Sequence, residues 1–370
     1  MTTPLHRAAA VAAVLASASA APAAAFDALE RFMRVAPPID LAKPGALLSH
    51  IDLRVFAAKT GVPPVVAVNP GGLPMAVAVA REPAGAPQFE ELFGVKLEAM
   101  TFHTETGAPP ENLHHVEFAP GSAPRIAAAL ERRGFARETL GRHTVFAKGD
   151  DNAVDIAGRQ PADPFGGHLG LSQRVLPRDG ASVVTRAWPT MHAAIAAIDG
   201  KRDPAVVALA ATIPPLREAV GKGAVAEQAA LYGLASFAGA TANRAALDAV
   251  LAGKRPPTQP AGLTMPLFAA AWLASGRIDK DAFAAVATLH SDAIAAREGN
   301  AAIARRIAAF STGEGAAPVV STKVASAGAV WVSVVVLRFA GQPPERGARA
   351  LRAWTQAITE RAFTPLDPMK

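Results

Sequence analysis

The chain has 370 residues, 51% of them apolar, with 37 basic and 31 acidic side chains for a formal net charge of +6, which is enough apolar material for two modest domains. The charge excess is small and spread along the chain, so a nucleic-acid partner is not expected, and any attraction to anionic envelope surfaces would be weak. There is no cysteine, which excludes disulfides, thiolate metal sites, a cysteine nucleophile and a lipid-bearing N-terminal cysteine.

Residues 1–25 have the form of a cleavable signal peptide. A short basic start ends at Arg7, an apolar stretch of Ala, Val, Leu and Ser runs from Ala8 to Ala20, and Ala23-Ala24-Ala25 offers an A-x-A cleavage site before Phe26. The apolar stretch is shorter than the roughly 20 residues of a transmembrane helix. A periplasmic or secreted location follows.

Six Pro-Pro pairs break up the rest of the chain, and each marks a loop or a helix start because proline fixes φ and lacks a donor. Strands are expected at 95–104 and 113–118, joined through a loop at 106–112 that holds Gly107 and Pro109-Pro110. Ser122 is placed to cap a helix carrying Ile126 and Leu130, closed by Gly134. Strands follow at 143–147, 170–176 and 182–186. A second helix, capped by Thr190, presents Met191, Ile195 and Ile198 and stops at Gly200, and Asp203-Pro204 opens another. The Ala-rich segments between 224 and 252 read as helical, although 228–237 fits a strand equally well. The run from Gly253 to Gly262, rich in Pro and Gly, is taken as a linker. Beyond it, strands are expected at 263–273, 283–290 and, as one or two, 319–339. The last helix starts near Pro344 and aligns Leu351, Trp354 and Ile358 on one face.

The element order over 95–200 resembles that over 263–362. The expected fold class is therefore α+β. Two domains, 26–252 (with a helical insert) and 263–370, would each carry an antiparallel sheet with helices packed on one face, related by an internal duplication of pattern rather than of sequence. The run Phe118-Ala119-Pro120-Gly121, then Ala129-Leu130, Gly134-Phe135, Gly141 and Val145-Phe146, resembles a pattern in bacterial exported proteins and lipoproteins built of tandem α+β units. The resemblance spans about residues 90–200 and implies no activity. The lipid-bearing cysteine of the lipoprotein members is missing here, so membrane tethering does not carry over.

Motifs for common chemistries are missing: there is no H-E-x-x-H, G-x-S-x-G, S-x-x-K or Walker A sequence. Gly221-Lys222-Gly223-Ala224-Val225-Ala226 matches a dinucleotide fingerprint by letter, but it follows an expected helix rather than a strand and is read as a chance match. Asp150, Asp151, Asn152 and Asp155 lack the spacing of a calcium loop and read as a solvated turn. Arg346, Arg349, Arg352 and Arg361 form a basic stripe on or beyond the last helix. The most specific constellation lies on the 100–118 hairpin. Unbroken alternation centred near residue 109 pairs Phe102 with Val116 on a core face and His103 with His115 on the outer face, with Glu105 and Glu117 beside them. His103, His115 and Glu117 are thus a candidate metal set suited to zinc or copper, and no other cofactor is expected. The expected function is a non-enzymatic binding or interaction protein. The alternative is a metal-binding protein or metal-dependent enzyme using His103 and His115.

Overall fold

A computed structural model describes residues 24–54, 85–107, 111–160, 163, 165–238, 244–256, 263–310, 316–360 and 366–368. The signal segment 1–23, the loop tip 108–110, the linker residues 257–262 and Arg361 lie outside the described residues. Ten named helices are used below: α1 (Ala24–Met33), α2 (Gly85–Phe93), α3 (Ala123–Arg132), α4 (Trp188–Ile198), α5 (Pro204–Ala210), α6 (Ile213–Val220), α7 (Ala235–Ala238), α8 (Arg244–Leu251), α9 (Ala293–Phe310) and α10 (Arg346–Thr359). Twelve strands accompany them: β1 (Ala46–Asp52), β2 (Met100–Thr106), β3 (Leu113–Phe118), β4 (Ala136–Leu140), β5 (His143–Lys148), β6 (Gln173–Arg178), β7 (Ala181–Thr185), β8 (Ala224–Gly233), β9 (Ala270–Ile278), β10 (Asp281–His290), β11 (Val319–Ala327) and β12 (Val330–Phe339).

The fold is α+β, as expected, but the two expected sheets are one. All twelve strands form a single antiparallel sheet in the order β11-β12-β10-β9-β8-β1-β2-β3-β7-β6-β5-β4. The strand before the expected linker, β8, pairs along its length with β9 beyond it, from Ala224↔Ile278 to Gly233↔Ala270. The order is nearly palindromic about the central β8–β1 pair. Going outward, β9, β10, β12, β11 on one side mirror β2, β3, β7, β6 on the other, and the β5–β4 hairpin extends one arm only. The repeated element order in the sequence is thus matched by a repeated strand order within one sheet.

Helices cover both faces of this sheet rather than one. On the first face α1, α4, α5, α6 and α8 pack on a core that runs through both halves. It includes Phe32, Met191, Leu209 and Leu216 from the helices and Phe102, Leu113, Leu231, Trp272 and Val334 from the strands. The second face carries two separate cores. One, under α9 and α10, contains Leu273, Val286, Ile303, Leu337 and Trp354. The other, under α2 and α3, contains Ile51, Phe93, Met100, Val116, Phe118 and Ile126. A sheet covered on both faces needs apolar side chains at successive positions, and β10 (Asp-Ala-Phe-Ala-Ala-Val-Ala-Thr-Leu-His) and β12 have them.

Local signals explain most boundaries. Asp203 accepts from the backbone N–H groups of Ala205 and Val206 and caps α5. Helix α3 ends at Gly134, whose φ of +77° is open to glycine at low cost. Helix α4 starts at Trp188, ahead of the expected Thr190 cap, because Pro189 is pre-set for a first turn. The Ala-rich stretch from Ala224 is strand β8, so the strand alternative holds for 228–233. The chance-match glycines, Gly221 and Gly223, sit in the α6–β8 turn with positive φ.

Candidate functional site

The β2–β3 hairpin does not have the expected register. Met100 faces Phe118 as anticipated, but the next pair is Phe102↔Glu117, followed by His103↔Val116 and Thr104↔His115. Thr101 is the extra residue of a β-bulge, and its hydroxyl donates to the Glu117 carbonyl at 3.2 Å. One inserted residue moves every later side chain to the opposite face. Phe102 therefore enters the first-face core while Met100, Val116 and Phe118 enter a second-face core.

The expected metal set is consequently split. His103 lies on the second face. His115 and Glu117 lie on the first, where the His115 ring packs 5.6 Å from that of Phe32. Glu117 accepts both arms of the Arg31 guanidinium, at 3.0 and 2.6 Å. Burial, reinforced by the charges of Arg178 and Arg31, pushes the His115 imidazole down to about 3, so it packs as a neutral ring. Among the described residues no group of three or more His, Cys, Asp or Glu side chains is arranged to hold a metal ion. Asp151 of the acidic turn is engaged by Arg174 at 2.7 Å and by the Trp188 backbone N–H at 3.0 Å. Of the arginine stripe, Arg346 donates to Gln342 at 3.0 Å, and Arg349 and Arg352 are exposed.

The structure brings His103 together with His114 instead. The rings stack at 5.4 Å with Nε2 of His103 and Nδ1 of His114 3.2 Å apart. Asn112 fixes the direction of this contact. Its amide nitrogen donates to the Glu105 carboxylate at 3.2 Å and lies 3.0 Å from His114 Nε2. Because the carboxylate only accepts, the amide NH2 faces both groups, and His114 Nε2 is an acceptor. The proton of neutral His114 is then on Nδ1, donating to His103 Nε2, which leaves the proton of neutral His103 on Nδ1. That nitrogen is buried and has no partner. Burial, followed by the neighbouring His114, His50 and His115, holds the His103 imidazole well below its ordinary value, so it stays neutral. Phe165 packs against both rings.

His103 belongs to a larger row. Across the second face Ser275, Gln228, Ile51, His103, Val116 and Ser182 are successive cross-strand partners on β9, β8, β1, β2, β3 and β7. Gln228 is 0% exposed, and neither its amide oxygen nor its amide nitrogen has a partner. The Ser275 and Ser182 hydroxyls are buried and unpartnered too. The adjacent row places Ser49, Glu105 and His114 side by side on β1, β2 and β3. A seam of polar side chains, interrupted by Ile51 and Val116 of the α2–α3 core, thus crosses the middle of the sheet on its second face. At the usual strand spacing, Gln228 and His103 stand roughly 10 Å apart on either side of β1.

No protein-family model matches the chain, and no curated protein does. Among solved structures, crystal form III of TP0453 aligns with 86% of this chain and 98% of its own at 8% identity and a TM-score of 0.32. Crystal form I of TP0453 aligns with 85% and 99%, at 8% identity and a TM-score of 0.31. The similarity is weak, and nothing is carried across from it to the seam.

Alternation alone missed the seam because Gln228 lies in a stretch that read equally as helix, and because the Thr101 bulge hides which face His103 takes. The visible signal was the pair of polar residues Gln228 and Ser275 within the largely apolar strands β8 and β9. A strand covered on both faces has no solvent-facing side to place them on.

Proposed function

We propose that the protein is an exported, non-catalytic binding protein that holds a small, uncharged polar molecule in the seam on the second face of the sheet. The observation that carries this reading is the row of buried, unpartnered groups: the Ser275 hydroxyl, both ends of the Gln228 amide and the Nδ1–H of His103. A buried polar group left unsatisfied costs about 1–3 kcal/mol, so several in one line call for a partner that completes them. The unpartnered groups are uncharged and include both donors and acceptors, which favours hydroxyl, amide or carbonyl groups over an ion. An acceptor on the ligand would meet His103 Nδ1, whose donor role the Asn112–His114 relay fixes in advance. Export rests on the signal pattern of residues 1–25, and sequencing of protein taken from outside the inner membrane should begin at Phe26.

Native mass spectrometry of the exported protein tests the binding reading. The wild type should carry a non-covalent adduct, and Gln228→Leu, which fills the same space without polar atoms, should lose it. If the wild type carries no adduct and Gln228→Leu merely melts at higher temperature, the seam holds only unsatisfied groups and the reading fails.

A further inference from the structure

A second site lies at one end of the sheet, where two strands part. β5 pairs with β4 from Ala136↔Ala147 to Leu140↔His143. Its other ladder, to β6, stops after Phe146↔Val175, although both strands continue, β5 back to His143 and β6 on to Arg178. Continued register would set Thr144 against Pro177, and proline has no N–H to offer a ladder. The unpaired ends enclose a cleft of about 340 Å³. Phe146, Leu176 and Ala127 of α3 form an apolar part of its lining.

The charges around it are unbalanced. Three guanidinium groups, Arg137, Arg142 and Arg178, line the cleft against a single lining carboxylate, Glu131. Asp199 stands nearby, but it is already shared by Arg142 at 2.7 Å and His143 Nε2 at 3.0 Å. Arg178 is half-buried and has no hydrogen bond or ion pair of its own among the described residues. Burial lowers its affinity for a proton, repulsion from Arg142 lowers it further, and Asp199 only partly offsets this. A half-buried guanidinium beside another cation, with five donors to satisfy, suits a planar or tetrahedral oxyanion. A phosphate group alone would leave much of the cleft empty. An oxyanion carried on a short organic stem would also lie against the apolar part of the lining.

We propose that the β5–β6 cleft is a binding site for a small phosphomonoester, with Arg178 as the main ligand-binding residue and Arg142 and Arg137 adding charge at the mouth. This site is separate from the central seam and does not depend on it. Isothermal titration of the full chain at low salt with glycerol 1-phosphate and, in parallel, inorganic phosphate tests it. The wild type should bind the ester, and Arg178→Gln should weaken binding at least tenfold. Arg178→Lys, which keeps the charge, should recover part of the loss, and Arg346→Gln, far from the cleft, should bind like the wild type. Thermal melts of each variant separate loss of binding from loss of fold. Tighter binding of the ester than of inorganic phosphate assigns the organic stem to the apolar part of the lining. Equal binding of the two assigns the site to free phosphate and overturns the monoester. No binding of either ligand, binding that survives Arg178→Gln in a folded protein, or complete displacement by an equal concentration of chloride overturns the site itself.

Discussion

His115 is a ring that the fold keeps uncharged, and this gives stability a definite dependence on pH. In the unfolded chain a histidine takes up its proton near pH 6.5, whereas burial holds His115 neutral down to about pH 3 and His290, packed against Gly299, down to about pH 4. Between those limits the unfolded state binds more protons than the folded one, so stability is full above pH 6.5 and falls as the pH drops. Each such histidine contributes a slope of about 1.4 kcal/mol per pH unit across its window. His115→Leu keeps the packing against Phe32 and removes one of these protons. Urea melts between pH 7 and 4.5 should therefore show a shallower loss of stability for His115→Leu than for the wild type. An unchanged slope would mean that His115 is reached by solvent. The sequence made Phe102 and Phe118 legible as inward-pointing, and both are buried. It placed His115 on a solvated face because it treated the sheet as covered on one side only. With both faces covered, alternation tells which side a residue takes but not whether that side is wet.

At the scale of elements, glycines set how closely helices approach the sheet. A Cβ on Gly347, in the first turn of α10, would come 2.2 Å from the carbonyl oxygen of Phe283 on β10. Alanine normally stabilises a helix by about 0.5–1 kcal/mol relative to glycine. Here the contact is with backbone in a central strand, which cannot turn aside, so the whole helix must lift and loosen Leu351 and Trp354 from their core. Gly347→Ala is expected to cost about 1–3 kcal/mol in a denaturant melt, and a stabilised variant would show that α10 sits further from β10. The same balance of local and tertiary effects decided which elements could be read. Helix α3 was legible from its glycine stop, although the Ser122 hydroxyl donates to the Ala119 carbonyl instead of capping it, and α5 from its Asp203 cap and Pro204. Strand β4, Ala-Arg-Glu-Thr-Leu, was not: it is exposed for most of its length and has no apolar face to signal it. β8 was ambiguous because alanine and glutamine favour a helix locally, and only pairing on both sides with β1 and β9 makes the segment a strand.

At the scale of the molecule, the order of elements was legible and their union into one sheet was not, since edge-to-edge pairing of two arms leaves no local trace. The β8–β9 ladder and the first-face core both cross the expected boundary at 253–262. A protease nick in that stretch should therefore leave two fragments that co-elute on gel filtration and separate only in denaturant. Two separately eluting, folded fragments would show that the halves are independent. The central pair has a further consequence. Ser49 and Ala230 are neighbours in the sheet but lie far apart in the chain. Hairpins such as β9–β10 and β11–β12 close short loops and can form within microseconds, whereas the β1–β8 ladder must wait for most of the chain and carries the cost of a very long closure. The two wings of the sheet are expected to take shape first, each with an exposed, unpaired central edge, and to join last. Until they join, each wing presents an open strand edge of the kind that pairs with a neighbouring molecule. The most hazardous moment in the life of this protein is thus the interval before β1 meets β8, when a holding chaperone would have most effect on yield.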